Sequence, residues 1–238
     1  MRVLITNDDS VSAKQLLPLI KWCQKRLGDV TTVVPAKEQS GKSHGIELHE
    51  PFRVERVMLD SETEVITVDS TPADCVRFAV LGMEEKFDLV ISGINKGFNM
   101  GTDTLYSGTV AAIREAAILG LSGIAFSTGV EEYESVMQYM DRVWDYIEQN
   151  GLLNKHNFYN INIPANPKEI LITRQGGSFY SDSFPEVEKG LHKAKGKCIY
   201  ENKNDLTLDT DAIMSGNISI MPVTIDMTDK AVYELLRK

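Results

Sequence analysis

The stretch Arg2-Val3-Leu4-Ile5-Thr6-Asn7-Asp8-Asp9-Ser10 decides the fold, because a short apolar strand runs straight into two adjacent carboxylates. Open α/β sheets bind ligands and hard cations in the crevice beyond the carboxyl ends of their strands, so an acidic pair there reads as a divalent-metal site. Taken alone, such acids also serve as solvated loop residues or as a helix N-cap. A second polar cluster shifts the balance: Ser92-Gly93-Ile94-Asn95-Lys96-Gly97-Phe98-Asn99-Met100-Gly101 also follows a buried strand and is expected on the same sheet edge.

Outward from the first strand, Ala13 to Leu27 carries Leu16, Leu17, Leu19, Ile20, Cys23 and Leu27 at helical spacing. Asp29 to Val34 reads as a second strand closed by Pro35, followed by a β-rich excursion with strands at Gly45 to Leu48, Phe52 to Met58 and Glu64 to Val68. Thr71-Pro72-Ala73-Asp74 is a helix start, with Pro at the first helical position and an acid near the positive helix end. Phe87 to Ser92 then reads as a buried strand, Gly93 to Gly101 as loop, Gly108 to Leu119 as helix and Gly123 to Ser127 as strand. This alternation predicts a Rossmann-like α/β fold with a mostly parallel sheet flanked by helices.

Residues 1–130 are expected to form the metal- and phosphate-binding core, and 131–238 a C-terminal part. In the latter, Glu131 to Gln149 is helical in pattern, while Phe158 to Ile163, Glu169 to Thr173 and Ile218 to Val223 read as strands completing the sheet. Gly176 to Asp205 is polar and has no sustained apolar period, so it is expected as an exposed hairpin and extended arm wrapping a partner. Asp229 to Leu236 reads as a final helix.

The composition, 238 residues with 42% hydrophobic and 25% charged, suits an ample core. A net charge of −9 repels polyanions, which excludes a nucleic-acid polymer as the expected partner and leaves room for a small phosphorylated ligand at a local site. No run approaches the roughly 20 apolar residues that span a bilayer, and no basic segment leads into an apolar one at the N-terminus; the expectation is a cytoplasmic protein without a membrane partner. Cys23, Cys75 and Cys198 are odd in number and widely spaced, and are expected as buried, reduced thiols.

Glycines in the second cluster let backbone approach a ligand closely, and asparagine carbonyls supply neutral oxygen ligands or tight turns. Ser107-Gly108-Thr109-Val110 opens a helix whose unpaired amides and dipole make an anion pocket; Ser107 as a plain N-cap is the alternative. Neither a P-loop nor a dinucleotide fingerprint is present, so the expected anion is a single phosphate. Glu38-Gln39-Ser40-Gly41-Lys42-Ser43-His44-Gly45 could close over the same pocket, although His44, His49, Lys42 and Lys96 are more simply read as solvated loop residues.

Thr6-Asn7-Asp8-Asp9, Gln39-Ser40-Gly41, Thr71-Pro72-Ala73-Asp74-Cys75-Val76, the Ser92 to Asp103 cluster and Tyr106-Ser107-Gly108-Thr109-Val110-Ala111-Ala112 together resemble the survival protein SurE family. Asn160-Ile161-Asn162-Ile163-Pro164, Thr173-Arg174-Gln175-Gly176 and Gly216-x-Ile218-Ser219-Ile220 extend the resemblance over almost the whole chain. It implies a metal-dependent phosphomonoesterase acting on nucleoside 5′- and 3′-monophosphates, some members also trimming polyphosphate. It further implies an arm exchanged between subunits of a homodimer or homotetramer. Asp8, Asp9, Ser40 and Asn95 match the family's ligands for one divalent cation, with Asp8 and Asp9 as the catalytic pair. Asn99 and Ser107 match its phosphate contacts, and Gly108 and Thr109 lie in the same motif. Ser10 stands where the family usually has glycine.

Two carboxylates, a hydroxyl and an amide carbonyl form an all-oxygen set that suits Mg²⁺ or Mn²⁺. In-line attack by water oriented by one Asp is the expected route, with an aspartyl-phosphate intermediate as the alternative. Two other readings compete. A non-catalytic phospholigand sensor would keep the pocket without the chemistry. A signalling receiver would need a phosphoacceptor Asp, for which Asp69 is the only candidate.

Overall fold

The computed structural model describes residues 1–237; Lys238, the last residue of the expected C-terminal part, lies outside the described residues. The chain opens with strand β1 (Arg2–Thr6), helix α1 (Leu16–Arg26) and strand β2 (Asp29–Pro35). The excursion contains β3 (Val54–Met58) and β4 (Glu64–Val68), whereas residues 45–48 form no strand. Helix α2 (Pro72–Arg77) begins as its sequence predicts: Thr71 Oγ1 accepts the Asp74 N–H at 3.2 Å and Pro72 takes the first turn. Next come β5 (Leu89–Lys96), α3 (Gly108–Ile118) and β6 (Ser122–Thr128). Strand β5 runs four residues beyond Ser92, correcting the expected loop. A register irregularity between Ser92 and Asn95 lets the chain bend there while pairing with β6 resumes at Asn95 and Lys96.

The expected helix from Glu131 starts only at Met140, as α4 (Met140–Gln149); turns and one 3₁₀ turn precede it. A short α5 (Leu152–Lys155) leads into β7 (Phe158–Ile163) and β8 (Ile170–Ile172). The arm folds as two small ladders, β9 (Tyr180–Ser183) with β12 (Lys195–Cys198), and inside it β10 (Glu186–Glu188) with β11 (Leu191–His192). Helix α6 (Asp209–Met214), β13 (Ile218–Pro222) and α7 (Lys230–Leu236) follow.

Nine strands form one sheet in the order β3-β4-β2-β1-β5-β6-β7-β13-β8. The six from β4 to β7 are mutually parallel, and β3 and β13 enter antiparallel to β4 and β7. Period-two alternation sends Val3, Ile5, Leu89 and Ile91 to one face, against Leu19, Ile20 and Cys23 of α1 and Val143 and Trp144 of α4. It sends Leu4 and Val90 to the other, against Cys75 and Val76 of α2 and Ala112 of α3. Each large side chain buried this way contributes about 1.5–3 kcal/mol. From β1 the chain first builds outward to β2 and β4, then returns to β5 on the other side of β1. This reversal opens a crevice at the carboxyl ends of β1 and β5, which pair in register up to Thr6 and Ser92. Cys23 and Cys75 are buried, but Cys198 is exposed on β12, contrary to expectation, because the arm has no core to bury it in. Among the described residues no helix is long and apolar enough to cross a membrane.

Candidate active site

Asp8 and Asp9 leave β1 at this crevice. Asp8 is 3% exposed, and the turn beneath it is held by Asn7, whose Nδ2 donates to the Ser10 carbonyl at 2.9 Å. Ser10 has φ +72°, the left-handed region for which glycine is suited. Its hydroxyl lies 2.9 Å from Ser12 Oγ and accepts the Ser12 N–H at 3.3 Å, local bonds that offset part of the cost of about 1–2 kcal/mol.

Helix α3 arrives end-on. The Thr109 hydroxyl donates to Asp8 Oδ1 at 2.6 Å, and Gly108 lies so close that a Cβ there would stand 3.0 Å from Asp8 Cβ and 3.1 Å from Pro72 Cγ. Any larger residue would force Asp8 or Pro72 to shift by a few tenths of an ångström, so glycine lets the positive helix end come this near the carboxylate undisturbed. Ser107 Oγ caps the helix, accepting the Val110 N–H at 3.1 Å, which leaves its own proton available to an anion. Thr109, expected beside a phosphate, is engaged with Asp8.

The Ser40 loop and the β5 end close the other sides. The Gln39 N–H donates to the Asp8 carbonyl at 2.8 Å, and Ser40 Oγ donates to Glu38 Oε1 at 2.9 Å. The Lys96 N–H donates to Asp9 Oδ2 at 3.0 Å. Asn95 gives its Nδ2 to the Gly97 carbonyl at 2.7 Å, so its side-chain oxygen remains free to ligate. Asn99, 8% exposed, donates from Nδ2 to Ser127 Oγ at 2.8 Å. In register, Ser127 lies opposite Asn95 on one side and Asn162 on the other, so Asn95 and Asn99 share this corner.

No cationic side chain forms an ion pair with Asp8 or Asp9 among the described residues. Burial pushes the Asp8 carboxyl up to about 6, with the Asp9 charge adding to the rise and the Thr109 hydroxyl opposing it. Burial also raises Asp9 and Glu38 adds to that, while the Lys96 N–H and the Lys96 charge oppose the rise. Two neighbouring acids, one buried and one half-buried, with neither in an ion pair among the described residues, fit a cation between them. Ser40, whose loop is tied to Asp8 through the Gln39 N–H, and Asn95, at the end of β5 beside Lys96, are the candidate neutral oxygen donors on either side of the pair. Among the described residues no three His, Cys, Asp or Glu side chains gather, here or elsewhere, so a cation at this edge would rest on the acidic pair and neutral oxygens, a donor set that suits a hard cation.

His44, read from sequence as a solvated loop residue, instead bonds Glu115 Oε2 at 2.8 Å, and Arg77 reaches Glu115 Oε1 at 3.2 Å. Ser43 ties the same loop to the approach to α3, through its N–H to the Tyr106 carbonyl at 2.9 Å and its hydroxyl to the Leu105 carbonyl at 2.6 Å. Glu115 gave a signal that could have been used, since it is the one acid on an otherwise apolar helix stretch from Thr109 to Ala117, apart from the basic Arg114. Asp69 sits at the end of β4, two strands from β1, with Lys37 3.4 Å away, so a receiver's acceptor is not brought to the acidic pair. A groove of about 340 Å³ on the flank of α3, bounded by Val110, Arg114, Met221 and Val223, touches none of the expected site residues.

A parallel α/β sheet with its acids and a glycine-opened helix N-terminus at the switch crevice defines a Rossmann-like phosphate-handling class. The "Survival protein SurE" family matches residues 3–182, and the chain belongs to that family. It is 37% identical to the 5′-nucleotidase SurE of Caldanaerobacter subterraneus subsp. tengcongensis, the alignment covering 99% of this chain and 95% of the relative. It is 39% identical to the 5′-nucleotidase SurE of Carboxydothermus hydrogenoformans over 96% and 92% of the two chains. The crystal structure of the SurE protein from Aquifex aeolicus superposes with a TM-score of 0.78 at 28% identity, covering 100% of this chain and 98% of that one.

Proposed function

We propose that this chain is a nucleotidase that hydrolyses nucleoside 5′-monophosphates to nucleoside and phosphate, using one Mg²⁺ or Mn²⁺ held by Asp8, Asp9, Ser40 and Asn95. The observation that carries the reading is the meeting of a buried carboxylate, Asp8, and its half-buried neighbour Asp9, neither in an ion pair among the described residues, with the start of α3, where Thr109 binds Asp8 and Gly108 packs against it. Family membership and the names of the relatives support the same activity. When bound, the dication supplies Lewis-acid polarisation of the phosphoryl group.

The protein's own groups do the rest. Ser107 Oγ–H, the Gly108 N–H and the amide of Asn99 hold phosphoryl oxygens as charge redistributes, and neutral donors suffice for that. Thr109 orients Asp8, and Asp9 orients the attacking water for in-line displacement. Because these contacts address the phosphoryl group alone, 3′-monophosphates and the ends of polyphosphate belong to the same proposed substrate range. In this reading residues 1–130 carry the site, while 131–238 complete the sheet and provide the arm through which a homodimer or homotetramer forms in the cytoplasm.

Phosphate release from AMP is expected to require Mn²⁺ or Mg²⁺ and to stop on chelation. Asp9→Asn is expected to lower turnover by about 10²–10³-fold with the fold retained. Turnover without a dication, or near-normal turnover by the variant, overturns the proposal in favour of a different site.

A further inference from the structure

Strand β7 carries Asn160 and Asn162, two positions apart and hence on one face of a strand that is buried along its whole length. Both are 0% exposed, a place where apolar side chains are the rule and an unpaired amide group is costly. Both converge on the backbone of Asn99. Asn162 Oδ1 accepts the Asn99 N–H at 2.9 Å, while Asn162 Nδ2 donates to the Asn99 carbonyl at 2.9 Å. The side chain thus imitates a neighbouring strand, satisfying donor and acceptor of one residue with a single planar group. Asn160 Nδ2 donates to the same carbonyl at 2.7 Å, filling its second lone pair. With Asn99 Nδ2 on Ser127 Oγ at 2.8 Å, four hydrogen bonds from two strands fix one loop residue.

Asn160 keeps its place at a cost. Its Oδ1 is buried with no hydrogen-bond partner among the described residues. A buried carbonyl left alone is unfavourable, so an apolar residue would serve the strand better unless the amide donor were needed elsewhere. Among the described residues the only target of that donor is the Asn99 carbonyl.

We infer that Asn162 and Asn160 are positioning residues of the nucleotidase reaction: they hold Asn99 at the corner of the crevice so that its side chain meets the phosphoryl group of the substrate. This rests on the phosphate-binding role proposed above for Asn99. It adds that the role depends on backbone placement imposed from β7, because residues 97–101 form no regular ladder of their own.

The test is a double-mutant cycle with Asn99→Ala, Asn162→Ala and their combination, measured as kcat and KM for AMP with saturating Mn²⁺, beside Mn²⁺ affinity and melting temperature. Asn162→Ala is expected to raise KM about tenfold or more and leave Mn²⁺ affinity within about twofold, since the amide acts on the phosphate-binding arm and not on the carboxylates. The combined variant is expected to be no worse in kcat/KM than Asn99→Ala alone, because placement is irrelevant once the side chain is gone. Asn160→Leu, which keeps the volume and removes the donor, is expected to show the same KM effect in weaker form. Multiplying losses in the combined variant, or a KM unchanged by Asn162→Ala, overturns the inference. If Asn99→Ala is itself without effect, the phosphate role of Asn99 falls and the inference falls with it. Should Asn162→Ala fail to fold, Asn160→Leu alone decides by its KM.

Discussion

At the scale of single residues, Asp8 carries the sharpest conflict between stability and function. A carboxylate 3% exposed beside a second acid costs the metal-free protein folding free energy, and the Thr109 hydroxyl recovers only part of it. Asp8→Asn is therefore expected to raise the melting temperature of the metal-free protein by about 5 °C and to abolish further stabilisation by Mn²⁺. Calorimetric scans with and without Mn²⁺ check both; a variant that melts lower without metal would show that the charge is not frustrated. Ser10 makes the complementary point. Its positive φ marks the turn as one suited to glycine, while the bonds to Ser12 show how serine is held in that conformation.

Between elements, the contact that sets the crevice is the clamp joining the Ser40 loop, α2 and α3. Burial pushes Glu115 up, but hydrogen bonds from His44 and Arg77 outweigh it and hold the carboxyl below its ordinary value. Asp74, with Arg77 Nε 3.8 Å away, is the other acid facing the cluster. A depressed carboxylate stabilises the fold above its unfolded value of about 4.5, and that contribution is lost as pH falls through the lower folded value. The melting-temperature gap between the native protein and Glu115→Gln is expected to be full at pH 6 and to shrink below about pH 4.5; a gap that widens on acidification would contradict the pairing. This clamp was not legible in the sequence because its members lie far apart in the chain: His44 and Arg77 have bland local readings, and Glu115, though conspicuous on an apolar helix stretch, points to no partner. Elements with long apolar periods, such as α1, β1, β2 and α3, were legible, as was the capped start of α2. Residues 45–48 alternate like a strand but pair with no strand among the described residues, Gly45 being held by Lys42 and Thr71. The end of β5 read as loop because its glycine and asparagine resemble a turn, whereas β6 supplies the ladder that keeps it extended. Helix α6 escaped because six residues opening on two acids give no period to see. The acidic pair and Ser107 could be placed from pattern, yet the close approach of Gly108 to Asp8 is a property of packing.

Taken as a whole molecule, one chain leaves apolar surface uncovered where the arm and tail depart from the sheet. Phe184, Val187 and Leu191 of the arm are exposed, as are Met227, Tyr233, Leu235 and Leu236 around α7, a helix with no buried residue. Light scattering is expected to return two or four times the chain mass of 26.5 kDa; a single mass would leave the arm without its proposed role. The placement of the acids has a different consequence. Strands β1 and β5 lie in the interior of the nine-stranded ladder, covered on both faces, so their amides should exchange with deuterium only when the entire domain opens. The proposed catalytic edge is thereby tied to the slowest clock in the molecule. Heat inactivation should then track the global melt without an earlier step, and this protein should keep its activity almost to the temperature at which it has no structure left to lose.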